Sequence, residues 1–141
     1  MREVKRSALV NQSPARLFAL ITDIASYPQF LPWCCLARVE SRTPEEIVAT
    51  IGVRQGALHG EFTTRNTLQS DRSVQMRLVS GPFRALEGEW LLTPVGEGCR
   101  VELTMRFAFR NALTGLLFEQ KFAETVGSLV DAFVARARGA T

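Results

Sequence analysis

Histidine is nearly missing from this chain. Of its 141 residues only His59 carries an imidazole. Acid–base and nucleophilic catalysis lean on histidine, and an activated nucleophile needs a base beside it. His59 lies between Leu58 and Gly60 in a predicted hairpin, where a solvated surface histidine is the simplest account. Cys34 or Cys35 could pair with it, but nothing in the spacing requires this. Aspartate and glutamate fall mainly at turns, on helix surfaces or on outward sheet positions. The expectation is therefore a protein that is not an enzyme.

Cysteine is scarce as well: Cys34, Cys35 and Cys99. An odd number with two adjacent argues against a disulfide framework and for a reducing compartment. Cys34-Cys35 lacks the two-to-four-residue spacer of a zinc site, so no metal site is expected. No tightly bound cofactor is expected either. Gly52, Gly56 and Gly60 lack the Gly-Lys-Ser/Thr sequel of a phosphate loop. No apolar run approaches the ~20 residues of a membrane span, and the N-terminus is charged rather than signal-like. These absences place the chain in the cytoplasm, at most peripheral to a membrane.

What is present suits one globular domain over residues 1–141, with 46% hydrophobic and 22% charged residues. Lysine occurs only at positions 5 and 121, so arginine dominates a net charge of +3. Arginine forks onto phosphates bidentately, yet genomic base composition explains the bias equally well.

The last stretch organises the rest. Phe118, Phe122, Val126, Leu129, Val130, Phe133 and Ala137 recur at spacings of three and four, which predicts one long helix over Asn111 to Arg138. Asn111 suits an N-cap and Gly139 a stop. Such a stripe needs a large partner surface, and alternation upstream supplies one. Arg2 to Val10 reads as a strand, and Ser13-Pro14 starts a short helix carrying Leu17, Leu20, Ile21 and Ile24. The segment Tyr27 to Cys34, rich in aromatics and with two prolines, allows only a short helical turn. Six further strands follow in meander order, Gly81-Pro82-Phe83 forming a bulge or tight link. One face carries Ile51, Phe62, Leu78, Trp90, Met105 and Phe107, with Thr64, Asn66 and Leu68 beside Phe62. The other carries Arg65, Arg77, Arg106, Glu87, Glu89 and Glu102. This is an α+β arrangement with helices on one face of an antiparallel sheet. Seven strands must twist and curl, and one helix laid across the hollow leaves a cavity. Gly127, which costs ~1 kcal/mol relative to Ala mid-helix, fits either a close backbone approach or tolerated slack.

The order strand, two short helices, six strands, long helix resembles the helix-grip fold of the START-like (polyketide cyclase/dehydrase, Bet v 1-like) superfamily. Within it the chain resembles the bacterial RatA family, relatives of the mitochondrial coenzyme Q-binding proteins. The resemblance rests on Tyr27-Pro-Gln-Phe-Leu-Pro-Trp-Cys34, Phe62-Thr-Thr-Arg-Asn66, Leu78-Val-Ser-Gly-Pro-Phe83, Leu86-Glu-Gly-Glu-Trp90, Phe107-Ala-Phe-Arg-Asn111 and Val130-Asp-Ala-Phe-Val-Ala-Arg136. It implies a seven-stranded curved antiparallel sheet with two short helices and a long C-terminal helix. It also implies two different roles. One is binding ubiquinone (coenzyme Q) or a similar isoprenoid lipid in support of respiration, with transient contact at the inner membrane. The other is a toxin that binds the large ribosomal subunit and blocks subunit joining. More distant members cyclise or aromatise polyketides.

For the lipid reading, Tyr27, Phe30, Trp33, Phe62, Phe83, Trp90, Phe122 and Val126 are expected to line a dry cleft. The Tyr27 hydroxyl and Trp90 indole are candidate anchors for a quinone oxygen. For the ribosomal reading, the surface is Arg65, Arg77 and Arg106, whose contacts to RNA phosphates would be salt-sensitive. Glu87, Glu89 and Glu102 dilute that charge, and no recognised RNA-binding module or DNA partner is indicated.

Overall fold

A computed structural model describes residues 1–139. The strands are β1 (Arg2–Val10), β2 (Cys34–Arg42), β3 (Glu46–Gln55), β4 (Leu58–Gln69), β5 (Ser73–Ser80), β6 (Phe83–Val95) and β7 (Gly98–Phe109). They form one antiparallel sheet in the order β1-β7-β6-β5-β4-β3-β2. Strands β2 to β7 are a meander, and β1 pairs with β7, opposite the β2 edge. Register shifts interrupt the ladders at Cys34/Leu36, Val39/Ser41, Thr63/Thr64 and Phe83/Ala85. Each such bulge bends its strand and adds twist, which curls the sheet around its apolar face. The predicted sorting of the two faces holds: Trp90, Met105 and Phe107 are buried and Ile51, Phe62 and Leu78 half-buried, while Arg65, Arg77 and Arg106 are exposed and Glu87, Glu89 and Glu102 half-exposed.

Between β1 and β2 the chain forms α1 (Pro14–Thr22) and a 3₁₀ turn (Ile24–Gln29). Ser13 Oγ accepts from Arg16 N at 3.1 Å and Pro14 occupies the first helical position, as the sequence indicates. The second short helix is the tighter 3₁₀ form, with Pro28 inside it. At Gly81 the link between β5 and β6 takes φ +149°, and a Cβ there would sit 2.6 Å from Phe62 Cβ, so only glycine fits.

The long helix predicted over 111–138 is divided at Ser128 into α2 (Ala112–Gly127) and α3 (Leu129–Gly139). Asn111 caps α2, its Oδ1 accepting from Leu113 N at 2.9 Å. At the break the Ser128 hydroxyl donates back to the Thr125 carbonyl at 2.7 Å, a bond that competes with the helical ladder. A Cβ at Gly127 would stand 2.9 Å from Arg6 Nη2, so the close approach there is to an arginine of β1. That cation lies at the carboxyl end of α2, where the helix dipole favours it. Helical bonding resumes at once, Ala132 N donating to Ser128 O at 3.1 Å. Gly139 is the last helical residue described, and the stop expected after it falls on residues outside the described range.

Candidate ligand cavity

The hollow between the curled sheet and the helices is not filled. A cavity of about 70 Å³ is enclosed by α1 (Ile21, Thr22), the 3₁₀ turn (Ile24, Tyr27), inward residues of β3 to β7, and Phe122, Thr125, Val126, Leu129 and Phe133 of the last two helices. One water needs ~10–15 Å³ by the same measure, so the space would hold several waters. Gly88 keeps the floor open for two flexible side chains, since a Cβ there would lie 2.8 Å from Met105 Sδ and 2.9 Å from Met76 Cε.

A second, largely apolar chamber of about 70 Å³ lies under the first turns of α2, lined by Leu58, Pro82, Phe83, Phe109, Thr114 and Phe118, with His59 at its side. Val53, Phe62 and Phe122 line both chambers. The rings of Phe62 and Phe122 meet edge to face with centroids 6.2 Å apart, and they form the partition between the two. Rotation of either ring would join the chambers into one elongated tunnel.

Of the eight residues predicted to line the cleft, Tyr27, Trp33, Phe62, Trp90, Phe122 and Val126 line the first chamber. Phe83 lines only the second, stacked on Phe109 with centroids 4.8 Å apart. Phe30 lines neither. It packs edge-on against Phe133 at 5.1 Å and lies under the Arg136 guanidinium, so it belongs to the outer closure of the core. The Tyr27 hydroxyl is not free to anchor a ligand, because it donates to the Ile21 carbonyl. Burial pushes its pKa far up, so it stays a phenol. Sequence reasoning passed over Thr22, Thr64, Asn66 and Thr125, all buried and all lining the first chamber. The signal was present for β4, where polar Thr64 and Asn66 alternate in phase with Phe62 and Leu68 at positions facing the core.

Nothing in the first chamber titrates near neutrality. Its polar members are threonines, Asn66, Tyr27 and two indoles. His59 is exposed on β4, and Cys35 is exposed on β2. Cys34 is buried, and desolvation pushes its thiol up to about 11, which keeps it from acting as a thiolate nucleophile.

The opposite sheet face is a charge ladder. Arg65 pairs in register with Arg77, Arg77 with Glu87, Glu87 with Arg106, and Arg106 with Glu3. Arg106 Nε binds Glu3 Oε2 at 2.7 Å and its Nη1 reaches Glu87 at 3.5 Å. Arg65 Nε lies 3.4 Å from Glu46. The Arg106 hydrogen bond holds the Glu3 carboxyl below its usual range, against a smaller opposing effect of desolvation. Among the described residues Arg77 alone of the three arginines has no carboxylate within ion-pair distance.

Residues 10–134 match the family model described as "Polyketide cyclase / dehydrase and lipid transport". The chain is 41% identical over 139 residues to the ribosome association toxin RatA of Escherichia coli K12, covering 98% of this chain and 88% of that protein. It is 29% identical over 147 residues to the mitochondrial coenzyme Q-binding protein COQ10 of Saccharomyces cerevisiae, covering 96% and 70%. A START superfamily protein from Mycobacterium smegmatis has the same fold at a TM-score of 0.83 and 19% identity, covering 99% of each chain. With most of its length matched by the family model and a bacterial relative above 40% identity, this chain belongs to the polyketide cyclase/dehydrase and lipid transport family.

Proposed function

We propose that this chain binds a hydrophobic small molecule, ubiquinone or a similar isoprenoid lipid, without transforming it and in support of respiration. The observation that carries the reading is the pair of apolar chambers that share Val53, Phe62 and Phe122 in their walls. A packed core leaves few voids larger than a water molecule, and here two lie end to end. A ring fits beside Trp90 in the first chamber, and a prenyl tail displaces Phe62 and Phe122 to run into the second. The absence of an acid–base pair or nucleophile among the described lining residues favours binding over catalysis, although the family includes cyclases. No cofactor is needed for this role.

At the outer end of the second chamber, α2 exposes Leu113, Leu116 and Leu117, the middle one 83% accessible. The flanking Arg110 and Lys121 are exposed as well. This apolar stripe with basic neighbours suits brief contact of an otherwise cytoplasmic protein with an anionic membrane surface. No helix among the described residues is long and apolar enough to cross a membrane.

The test is extraction of protein purified from a quinone-producing host, with the lipids identified by mass spectrometry. Val126→Phe, which places a ring into the first chamber, serves as the control. Near-stoichiometric quinone in the wild type and little in the variant is the expected outcome. Equal amounts in both, or none in either, would contradict it.

A second reading, association with the large ribosomal subunit, draws support from the similarity to RatA. Its candidate surface is Arg65, Arg77 and Arg106. Replacing all three by Glu should abolish salt-sensitive co-sedimentation with large subunits if that face is used, and unchanged sedimentation would clear it.

A further inference from the structure

We propose that Asn66 recognises the polar end of the ligand, and that this end is a carbonyl oxygen on an apolar body. The proposal rests on the cavity being a binding site and names what the site selects.

Asn66 is 4% exposed, on the inward face of β4. A primary amide turned into an apolar core costs free energy unless its groups are bonded. Its Oδ1 is satisfied by the Thr64 hydroxyl at 3.1 Å, while its Nδ2 donates to no protein group among the described residues. Among the described residues no fully sealed side-chain nitrogen or oxygen lacks a hydrogen bond. The Asn66 nitrogen therefore borders open space, and for so buried a residue that space is the chamber it lines. By holding the oxygen, Thr64 turns the two N–H groups toward the ligand.

The remaining polar groups point the same way. The hydroxyls of Thr22, Thr125 and Tyr27 give their protons to Phe18 O, the Gln55 side chain and Ile21 O. The Trp90 indole N–H, 3% exposed and two strands from Asn66, likewise has no protein acceptor among the described residues. The chamber thus offers N–H donors, with Trp33 as a second, half-buried indole, beside hydroxyl oxygens whose protons are already given away. A carboxylate is a poor match, because no Lys, Arg or His lines the chamber and an unpaired charge would be buried there. A plain hydrocarbon leaves both donors unpaired. A ketone or quinone carbonyl accepts from the Asn66 amide without bringing a charge, and a quinone has a second carbonyl to offer.

The carbonyl could come from a quinone ring or from a linear ketone chain, and calorimetric titration with three probes separates these. The probes are decylubiquinone, 2-tridecanone and the oxygen-free decylbenzene. The main variant is Thr64→Val/Asn66→Leu, which removes both hydrogen-bond partners together so that no hydroxyl is stranded. It should weaken the carbonyl probe that the wild type prefers by about tenfold. Decylbenzene should change less than twofold. Trp90→Phe keeps a ring in place and should weaken the same probe by about threefold, which provides an independent test if the double variant folds poorly. A double variant that binds the carbonyl probes as tightly as the wild type would overturn the assignment while leaving the cavity reading intact. So would an equal loss of decylbenzene. Wild-type protein that binds none of the three probes would overturn the cavity reading, and the assignment with it.

Discussion

The two faces of one sheet solve opposite problems. On the outer face charged groups are abundant and solvated, with Arg106 matched between Glu3 and Glu87 and Arg65 standing opposite Arg77. On the inner face polar groups are few and buried, and two of them, Asn66 and Trp90, keep donors unmatched. Exposed ion pairs contribute little to stability, whereas an unpaired buried donor is costly. A mismatch in the expensive place, beside a void, marks function more strongly than an abundance of charge in the cheap place.

The inner face is where substitutions should tell most. Trp90 meets Phe133 edge to face at 5.2 Å, and Phe133 also meets Tyr27 at 5.3 Å. Phe133→Ala should cost about 3–5 kcal/mol, as for buried aromatics generally, and chemical denaturation would measure it. A loss below about 1 kcal/mol would mean that this cluster is already loose. Thr125 is a finer probe. Its hydroxyl, beside the first chamber, ties α2 to Gln55 at the end of β3. Thr125→Val should cost about 1 kcal/mol and speed decylubiquinone association severalfold in stopped-flow measurements. An unchanged rate would mean that α2 does not move to admit the ligand.

Cysteine reactivity sharpens the contrast at a smaller scale. Cys35 should alkylate readily in the native protein, while buried Cys34 and Cys99, both with thiols raised by desolvation, should react only on unfolding. Because the Cys34 thiol is raised in the folded state, its neutral form is favoured there. That contribution is complete below the ordinary thiol range and is lost as pH rises toward 11. A melting temperature that falls over this interval less steeply in Cys34→Ala would register it. The outer face should give the smallest response. Glu3 is held below the usual carboxylate range by Arg106, so its contribution is present above about pH 4.3 and fades as acid titrates the folded carboxyl. Arg106→Gln should flatten that acid limb slightly and do little else, as thermal melts between pH 3 and pH 6 would reveal.

Much of this contrast was readable before any coordinates. Alternation assigned both faces correctly because a buried sheet face tolerates few exceptions, and the Ser13-Pro14 and Asn111 caps have local causes. The break at Ser128 was hidden because the apolar stripe runs through it without a change of phase, and its causes lie in Arg6 of β1 and in the back-bonding Ser128 hydroxyl. Phe30 and Phe83 look like cavity residues by type alone. Which aromatic faces a void and which fills the core depends on how neighbouring side chains pack, and periodicity carries no record of that. The Tyr27 hydroxyl was misassigned for a similar reason: its acceptor, Ile21 O, is brought to it by the 3₁₀ turn. Asn66 was in plain view on the apolar face. It was overlooked because aromatic residues were weighed above a polar residue out of place.

The most direct test of the ligand reading uses the protein's own tryptophans. Trp33 and Trp90 are the only two in the chain, and both line the first chamber. A quinone bound there should quench their fluorescence. Titration with decylubiquinone should give saturable, one-to-one quenching in the wild type that is lost in Val126→Phe. Quenching that rises linearly and equally in both proteins would mean that no quinone enters the cavity.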